Sequence, residues 1–496
     1  MDRRRFVQST LAAAIAASVF PHRGLLAALT RVDADVNAVT GDGVEVTLKR
    51  TAVQELADSL RGRLLLPGSE AYDDARRVLN AEIDKHPALI AQCAGAADVA
   101  NAVDFARAEN LLLAVKCGGH SLSGKSTCDK GLMIDLTPLR SVRVDPRRRI
   151  AYVSGGSLLG HMDHETMEYG LVTTAGTVSH TGVGGLTLGG GFGRLARKFG
   201  LAIDNVRAVD IVGADGKLRH ASAEENPELF WAVRGGGGNF GVVTNFEFHL
   251  HPMERQVIGG AIAFPMSEAR EVMKFFADYV ADAPDDLYID GGLSSRPGEG
   301  EGAWMSVCYA GPKNQANKWI DPIRQAGKPV FDGIGVMDYV ALQKSSDVSD
   351  PRARGAYMKS GFTTGVTQEA IDAILAGFEP HPERALGVAF AHVGGAVTRV
   401  PAEATAFPHR YAQHDLLAIL DWPVEIDPED HIAWLKSYWA TLEPHTRGFY
   451  VNDAFVQSQQ QIDKNYLQNH ARLVELKNKY DPGNLFRLNT NVRPSI

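Results

Sequence analysis

From residue 86 the chain alternates between short apolar runs and helical stripes. Residues 88–93 form one such run. Val99, Ala102, Val103 and Ala106 then recur at i, i+3, i+4 and i+7, the spacing of a single helix face. Residues 111–115 form a second run. This pattern predicts strand–helix–strand and sets the following loop at the carboxyl end of a strand, where ligands gather in α/β sheets. Residues 132–136 predict a strand. Val142–Asp145 and residues 150–153 predict a hairpin, and residues 158–169 a helix stopped by Gly170. Val206–Val212 is β-rich, Asp215-Gly216 turns it, and residues 218–221 return. Ser222 and Glu225 spell a capping box, which predicts a helix through Leu229, Phe230 and Val233. Residues 242–250 alternate in the manner of an edge strand. Upstream, residues 64–68 predict a short strand and turn, and residues 72–79 a helix. Near the end, residues 463–480 predict a helix stopped by Asp481-Pro482-Gly483-Asn484.

Glycine changes the picture. The chain has 50 glycines in 496 residues, against about 7% in ordinary proteins, and they cluster. The clusters are a loop with Gly118-Gly119-His120-Ser121, a block over residues 176–193, and a third block over 234–241. A glycine lacks the Cβ that would keep backbone N–H groups away from an anionic ligand. Residues 119–126 match G-x-x-x-x-G-K-[ST], the nucleotide P-loop. A P-loop must open into a helix, whereas residues 126–131 are turn material before the strand at 132–136. The remaining reading is a loop that holds a flavin pyrophosphate, with His120 bonded to the flavin ring and Lys125 a solvated side chain. Gly191-x-Gly193-x-x-Ala196 matches a dinucleotide fingerprint, but no apolar strand leads into it. Arg194, Arg197 and Lys198 either are solvated helix charges or help to hold the second block.

Charge and cysteine narrow the classes. A net charge of −8 leaves no broad basic surface for nucleic acid. Cys93, Cys117, Cys128 and Cys308 are scattered without C-x-x-C, so neither a zinc cage nor a disulfide framework is required, and no metal site is expected. Arg3-Arg4-Arg5-Phe6-Val7-Gln8 before the apolar residues 11–20 resembles a twin-arginine export signal. That run, about 10 residues, is too short to span a bilayer. Residues 1–28 are therefore expected to be a signal read by the twin-arginine machinery, and the enzyme to be periplasmic or secreted with no stable membrane span. After Pro252 the texture shifts to fewer glycine clusters and more aromatics, which suggests a second α+β domain.

Several motifs together carry a family resemblance. They are Lys116-Cys117-Gly118-Gly119-His120-Ser121, the block over 182–205, the loop over 234–241, and Tyr480-Asp481-Pro482-Gly483-Asn484-Leu485-Phe486, with weaker matches in 355–422. The chain resembles the berberine-bridge-enzyme-like branch of the vanillyl-alcohol oxidase (PCMH-type FAD-binding) superfamily. The resemblance implies an α+β fold: a two-part FAD-binding domain with an inserted α+β substrate domain. It divides the chain into a signal (1–28), a lead-in (29–85), an FAD-binding domain (86–252), a substrate domain (253–450) and a C-terminal return to the FAD domain (451–496).

The resemblance also implies site residues. His120 matches the histidine that bonds to the 8α-methyl of FAD. Val178 stands where many members carry a second, cysteine tether, so a single covalent link through His120 is expected. The remaining cofactor-binding set is Lys116, Gly118, Gly119, Ser121, Leu122, Gly176, Thr177, Thr181, Gly182, Gly185, Gly189, Gly190, Asp204, Gly238, Val243, Tyr450, Asn489 and Asn491. Thr181 falls at the oxygen gate; it is nearly isosteric with the valine of oxidases. The implied reaction takes a hydride from a C–H next to oxygen or nitrogen in an alcohol, a sugar hydroxyl or a secondary-metabolite ring, with O2 as acceptor giving H2O2. The alternatives are a dehydrogenase with another acceptor and a low-turnover flavin-binding protein. The cofactor does the redox step while the protein orients the substrate and removes a proton. Tyr450 is the first candidate base, provided that its site lowers a pKa of about 10. Asn452, Asn489 and Asn491 are orienting groups near the ring. Tyr357, His392 and Lys359 are substrate-side candidates, and Asp421 is a loose match to a glutamate base of some relatives.

Overall fold

In a computed structural model the chain is described over residues 31–347, 353–455 and 457–495; the expected signal at 1–28 lies outside these. Three main sheets carry the architecture. The first has the strand order Arg63–Leu65, Leu89–Gln92, Leu132–Asp135, Leu113–Lys116, and its last three strands are parallel. Leu89–Gln92, the helix Ala96–Ala108 and Leu113–Lys116 are the strand–helix–strand unit read from the sequence, and Val99, Ala102, Val103 and Ala106 are buried. These strands are buried on both faces, as parallel strands usually are.

The second sheet is antiparallel, in the order Leu218–Ser222, Val206–Val212, Val242–His249, Ile150–Ser154, Val142–Asp145. Two sequence expectations are corrected here. Val242–His249 is the central strand and not an edge: its alternation reports burial of one face, which a central antiparallel strand shares. Ser222 does not cap a helix. Its hydroxyl accepts from the N–H groups of Glu224 and Glu225 in a tight turn, and the helix Pro227–Val233 starts later, after Asn226.

The third sheet is large and antiparallel. Its order is Phe331–Asp332, Gln256–Pro265, Gly300–Tyr309, Leu287–Arg296, Ala385–His392, His414–Pro423, Arg354–Thr363, with Gly335–Asp338 also paired to Gln256–Pro265. The amphipathic helices Ala269–Ala281, Gln368–Gly377 and Glu429–Leu442 bury Phe276, Ile374 and Leu435 in its core. The tail then returns to the first half of the chain. The helix His470–Tyr480 packs Leu473 and Leu476 into the core of the second sheet, and Leu485 and Phe486 join the core of the first. The predicted helix over 463–480 is broken by Leu467, which adopts a positive φ, into Gln459–Asn465 and His470–Tyr480.

The Tyr480–Phe486 motif has a physical role in that return. The Lys477 ammonium, fully buried, donates to Asp481 Oδ2 (2.7 Å) and to the carbonyls of Asn239 (2.8 Å) and Phe486 (3.0 Å). Asp481 in turn accepts the N–H groups of Leu485 and Phe486. A buried ion pair is tolerated when its remaining donors and acceptors are met. This one ties the third glycine-rich loop to the tail. Among the described residues no helix is long and apolar enough to cross a membrane, and all four cysteines are free.

Candidate active site

The three glycine-rich loops converge on one cavity of about 440 Å³, within the usual range for small-molecule sites. The first loop leaves the strand Leu113–Lys116, and the second leads into the short helix Val183–Leu188. These two touch backbone to backbone. A Cβ on Gly118 would sit 2.5 Å from Gly182 N, and a Cβ on Gly182 would sit 2.4 Å from Gly118 N. At Gly185 a Cβ would meet nothing within 4 Å, so the backbone there lies open to the cavity. The second loop is zipped to the helix Leu159–Met167 through Leu159 N–H to Thr181 O (2.9 Å) and Gly160 N–H to Ser179 O (2.8 Å). The third loop is locked to the tail by Asn239, whose amide donates to Gly236 O and Thr490 O and accepts from Val492 N–H.

Most of the expected cofactor residues line this cavity: Gly118, Gly119, His120, Ser121, Gly176, Thr177, Thr181, Gly182, Gly185, Gly238, Val243, Tyr450 and Asn489, with Asn452 beside them. His120 stands out chemically. Its Nε2 is buried with no hydrogen-bond partner, and its ring lies 5.0 Å from that of His180. Burial, with the His180 charge second, pushes the His120 pKa down to about 4. The imidazole is therefore neutral and nucleophilic at ordinary pH. Ser126 Oγ and Asp290 Oδ1 are further cavity-wall atoms without partners, and Asp415 has none but the Asp453 carboxyl. Buried polar atoms are nearly always paired, so a wall carrying this many orphans fits a polar ligand. An extended cofactor with an anionic centre suits the glycine loops and the free imidazole.

Other expected residues are placed elsewhere. Asp204 is not a cofactor ligand: its carboxylate makes a buried bidentate pair with Arg410 (2.7 Å twice) and accepts Leu201 N–H. Lys116 points away from the cavity and donates to the Ala75 and Arg77 carbonyls. Leu122 and Asn491 are outside the wall; the Leu122 carbonyl accepts from Asn80. Gly189 and Gly190 lie just behind it, where a Cβ would strike Asn452 and Phe407. His392 is enclosed in a separate cluster, with Nε2 accepting from Arg197 (2.7 Å) and the ring stacked on His414. Tyr357 packs on Phe455, and Lys359 is also absent from the wall. Asp421 pairs with Arg354 and Arg296. It shares a strand face with Asp415 but sits six residues further along, roughly 20 Å at strand rise.

Tyr450 lies in the cavity but does not have the expected electronics. Its oxygen accepts from Gly191 N–H (3.0 Å) and from the Asn452 amide (2.8 Å), and burial raises its pKa well above the ordinary value. It is a fixed, protonated phenol rather than a base. Lys125 is likewise not solvated. Its ammonium donates to Ala454 O (2.6 Å) and Thr490 Oγ1 (3.4 Å), and burial pushes its pKa down to about 8. It joins the first loop to the tail at the cavity wall.

Sequence reasoning missed the acid–base groups. Asp415 is the second residue of the strand His414–Pro423 and Asp453 follows Asn452; both line the cavity, Asp415 buried and Asp453 half-buried, with their carboxyls interacting. Burial raises both pKa values above the usual carboxylate range; the Asp453 carboxylate raises Asp415 further, whereas the hydrogen bond to Asp415 acts to lower Asp453. Asp290, which accepts from Tyr288 Oη (3.2 Å), is pushed up to about 6 by burial. Asp453 had one available signal, its place directly after Tyr450-Val451-Asn452.

Comparison with known proteins identifies the family. The family description "FAD binding domain" matches residues 87–222, and "Berberine and berberine like" matches residues 449–493. An FAD-linked oxidoreductase of Dictyostelium discoideum is 33% identical over 448 residues, covering 89% of this chain and 97% of that protein. Among solved structures, 6-hydroxy-D-nicotine oxidase from Arthrobacter nicotinovorans superposes with a TM-score of 0.80 at 27% identity, covering 88% of this chain and 99% of that one. Xylooligosaccharide oxidase from Myceliophthora thermophila gives a TM-score of 0.80 at 25% identity, covering 90% and 99%.

Proposed function

The chain belongs to the berberine-bridge-enzyme-like FAD-linked oxidoreductases, and from that premise we propose that it is an oxidase whose flavin is tethered through His120 and whose base is Asp415. The single observation that carries the catalytic assignment is the Asp415–Asp453 carboxyl pair on the cavity wall beside Tyr450. When bound, the flavin supplies the hydride acceptor and returns the electrons to O2 as H2O2.

The protein supplies the rest. The Gly118, Gly182 and Gly185 backbones would hold the pyrophosphate, and neutral His120 would provide the attachment point. Asn452 and Gly191 hold the Tyr450 hydroxyl in one orientation, so it can fix a substrate oxygen or nitrogen. The Asp415–Asp453 pair, once it has lost a proton, takes the proton from the substrate O–H or N–H. The two solved relatives are named for a nicotine derivative and a xylooligosaccharide. That range supports a substrate with a C–H beside nitrogen or oxygen. On the same reading residues 1–28 are a twin-arginine-type signal and the mature enzyme is periplasmic or secreted, which cell fractionation tests.

The deciding experiment is aerobic incubation with a panel of cyclic amines, alcohols and oligosaccharides, with H2O2 measured against substrate consumed. Stoichiometric H2O2 supports the oxidase. Flavin that bleaches with a substrate but is reoxidised only by an added dye places the chain with dehydrogenases.

A further inference from the structure

Outside the cavity, a loop and a helix bring three metal-ligating side chains together. The helix Gln368–Gly377 and the strand Ala385–His392 are joined by residues that carry His381 and Glu383. His431 lies in the first turn of the helix Glu429–Leu442. One ligand atom from each of the three lies within 4.8 Å of the others. His431 Nε2 is 3.9 Å from Glu383 Oε2, and the two imidazole rings meet edge to face at 5.0 Å. His431 is buried, His381 half-buried and Glu383 exposed, so the cluster has one closed side and one side open to water. None of the three lines the cavity.

The donor chemistry is selective. Two imidazoles and one carboxylate suit zinc and its first-row transition-metal neighbours, whereas magnesium and calcium take oxygen ligands. Zinc–ligand bonds of about 2.0–2.2 Å set tetrahedral ligand atoms roughly 3.4 Å apart. The His431 Nε2–Glu383 Oε2 separation of 3.9 Å is close to this. His381 Nδ1 accepts a long bond from Glu383 N–H (3.2 Å), and ligation exchanges one weak bond for a metal bond. The neighbouring cation does not fill the site: the Arg384 guanidinium stacks on Trp434 at 3.8 Å from the ring centroid and is balanced by Glu379. Asp430 adds negative charge beside His431.

We propose that His381, Glu383 and His431 bind one zinc ion, with water in the fourth position. The ion clips the 378–384 loop to the helix Glu429–Leu442, whose Leu435, Tyr438, Trp439 and Leu442 pack on the large sheet. The role is structural, and turnover does not depend on it.

The test uses the flavin-loaded, untagged full chain, stripped with EDTA and titrated with ZnCl2 by calorimetry, with metal content read by mass spectrometry. Wild type is expected to bind one equivalent more zinc than His381→Ala. Glu383→Gln should bind that equivalent at least tenfold more weakly. Both variants should keep wild-type flavin absorbance and turnover, and zinc should raise the melting temperature of wild type alone. Failure of wild type to bind zinc, or equal zinc in wild type and His381→Ala, overturns the proposal. So does MgCl2 binding at this cluster as tightly as zinc.

Discussion

Asp415 on a sheet strand and Asp453 in the tail bring their carboxyls together at the cavity wall, Asp415 buried and Asp453 half-buried. Apart from the Asp453 carboxyl, no N–H or O–H donor among the described residues reaches either oxygen of Asp415. The Asp415–Asp453 hydrogen bond raises the Asp415 pKa and lowers that of Asp453, so the two titrate as a pair. Such a pair ionises late. Asp415→Asn should slow substrate-driven flavin reduction by about 10²- to 10⁴-fold, the usual worth of a general base, with flavin content unchanged. Asp453→Asn should cost less. Stopped-flow reduction under anaerobic conditions reads both.

The same pair sets a pH dependence. Both folded pKa values are raised above the unfolded carboxylate value of about 3.9. Above that value the unfolded chain binds fewer protons than the folded one, so this contribution to stability falls as pH rises through the folded pKa. Activity moves the other way, because the base must be ionised. The rate of flavin reduction should climb over pH values well above the ordinary carboxylate range, while urea stability declines over the same range. Asp415→Asn should flatten both slopes.

Tyr450 should behave as an orienting group. Its oxygen already accepts two hydrogen bonds, and its pKa is raised by burial. Tyr450→Phe should weaken substrate binding and lower the rate by less than Asp415→Asn does, and the pH profile should keep its midpoint. A profile whose midpoint disappears in Tyr450→Phe would return the base to the tyrosine.

Lys125 joins the first loop to the tail through Ala454 O and Thr490 Oγ1. Lys125→Met leaves a buried carbonyl without its charged donor, which costs about 1–3 kcal/mol. Urea denaturation of the flavin-loaded protein should show that loss as a lower midpoint with an unchanged slope.

Local order was legible from the residues. The strand–helix–strand unit before His120, the 142–154 hairpin and the glycine loops all follow from periodicity and from the steric freedom of glycine. What the sequence hid is where distant segments meet. Asp415 sits in a strand whose alternation looks the same at Asp421, and only the sheet's position shows which of the two reaches the cavity. Asp204 read as a ligand because its partner, Arg410, lies 206 residues away. Lys125 read as solvated because nothing local reports the tail folding over it. Tyr450 was found, but its pKa depends on burial, which no local pattern encodes.

Attachment of the flavin to His120 is the claim on which the rest of the site depends, and denaturation tests it directly. Acid-precipitated protein, washed and digested with trypsin, should keep its yellow colour, and mass mapping should find FAD on the peptide of residues 117–125, which contains His120. His120→Ala should release its flavin on the same treatment. Free flavin in the wild-type supernatant, or flavin on any other peptide, would contradict the account.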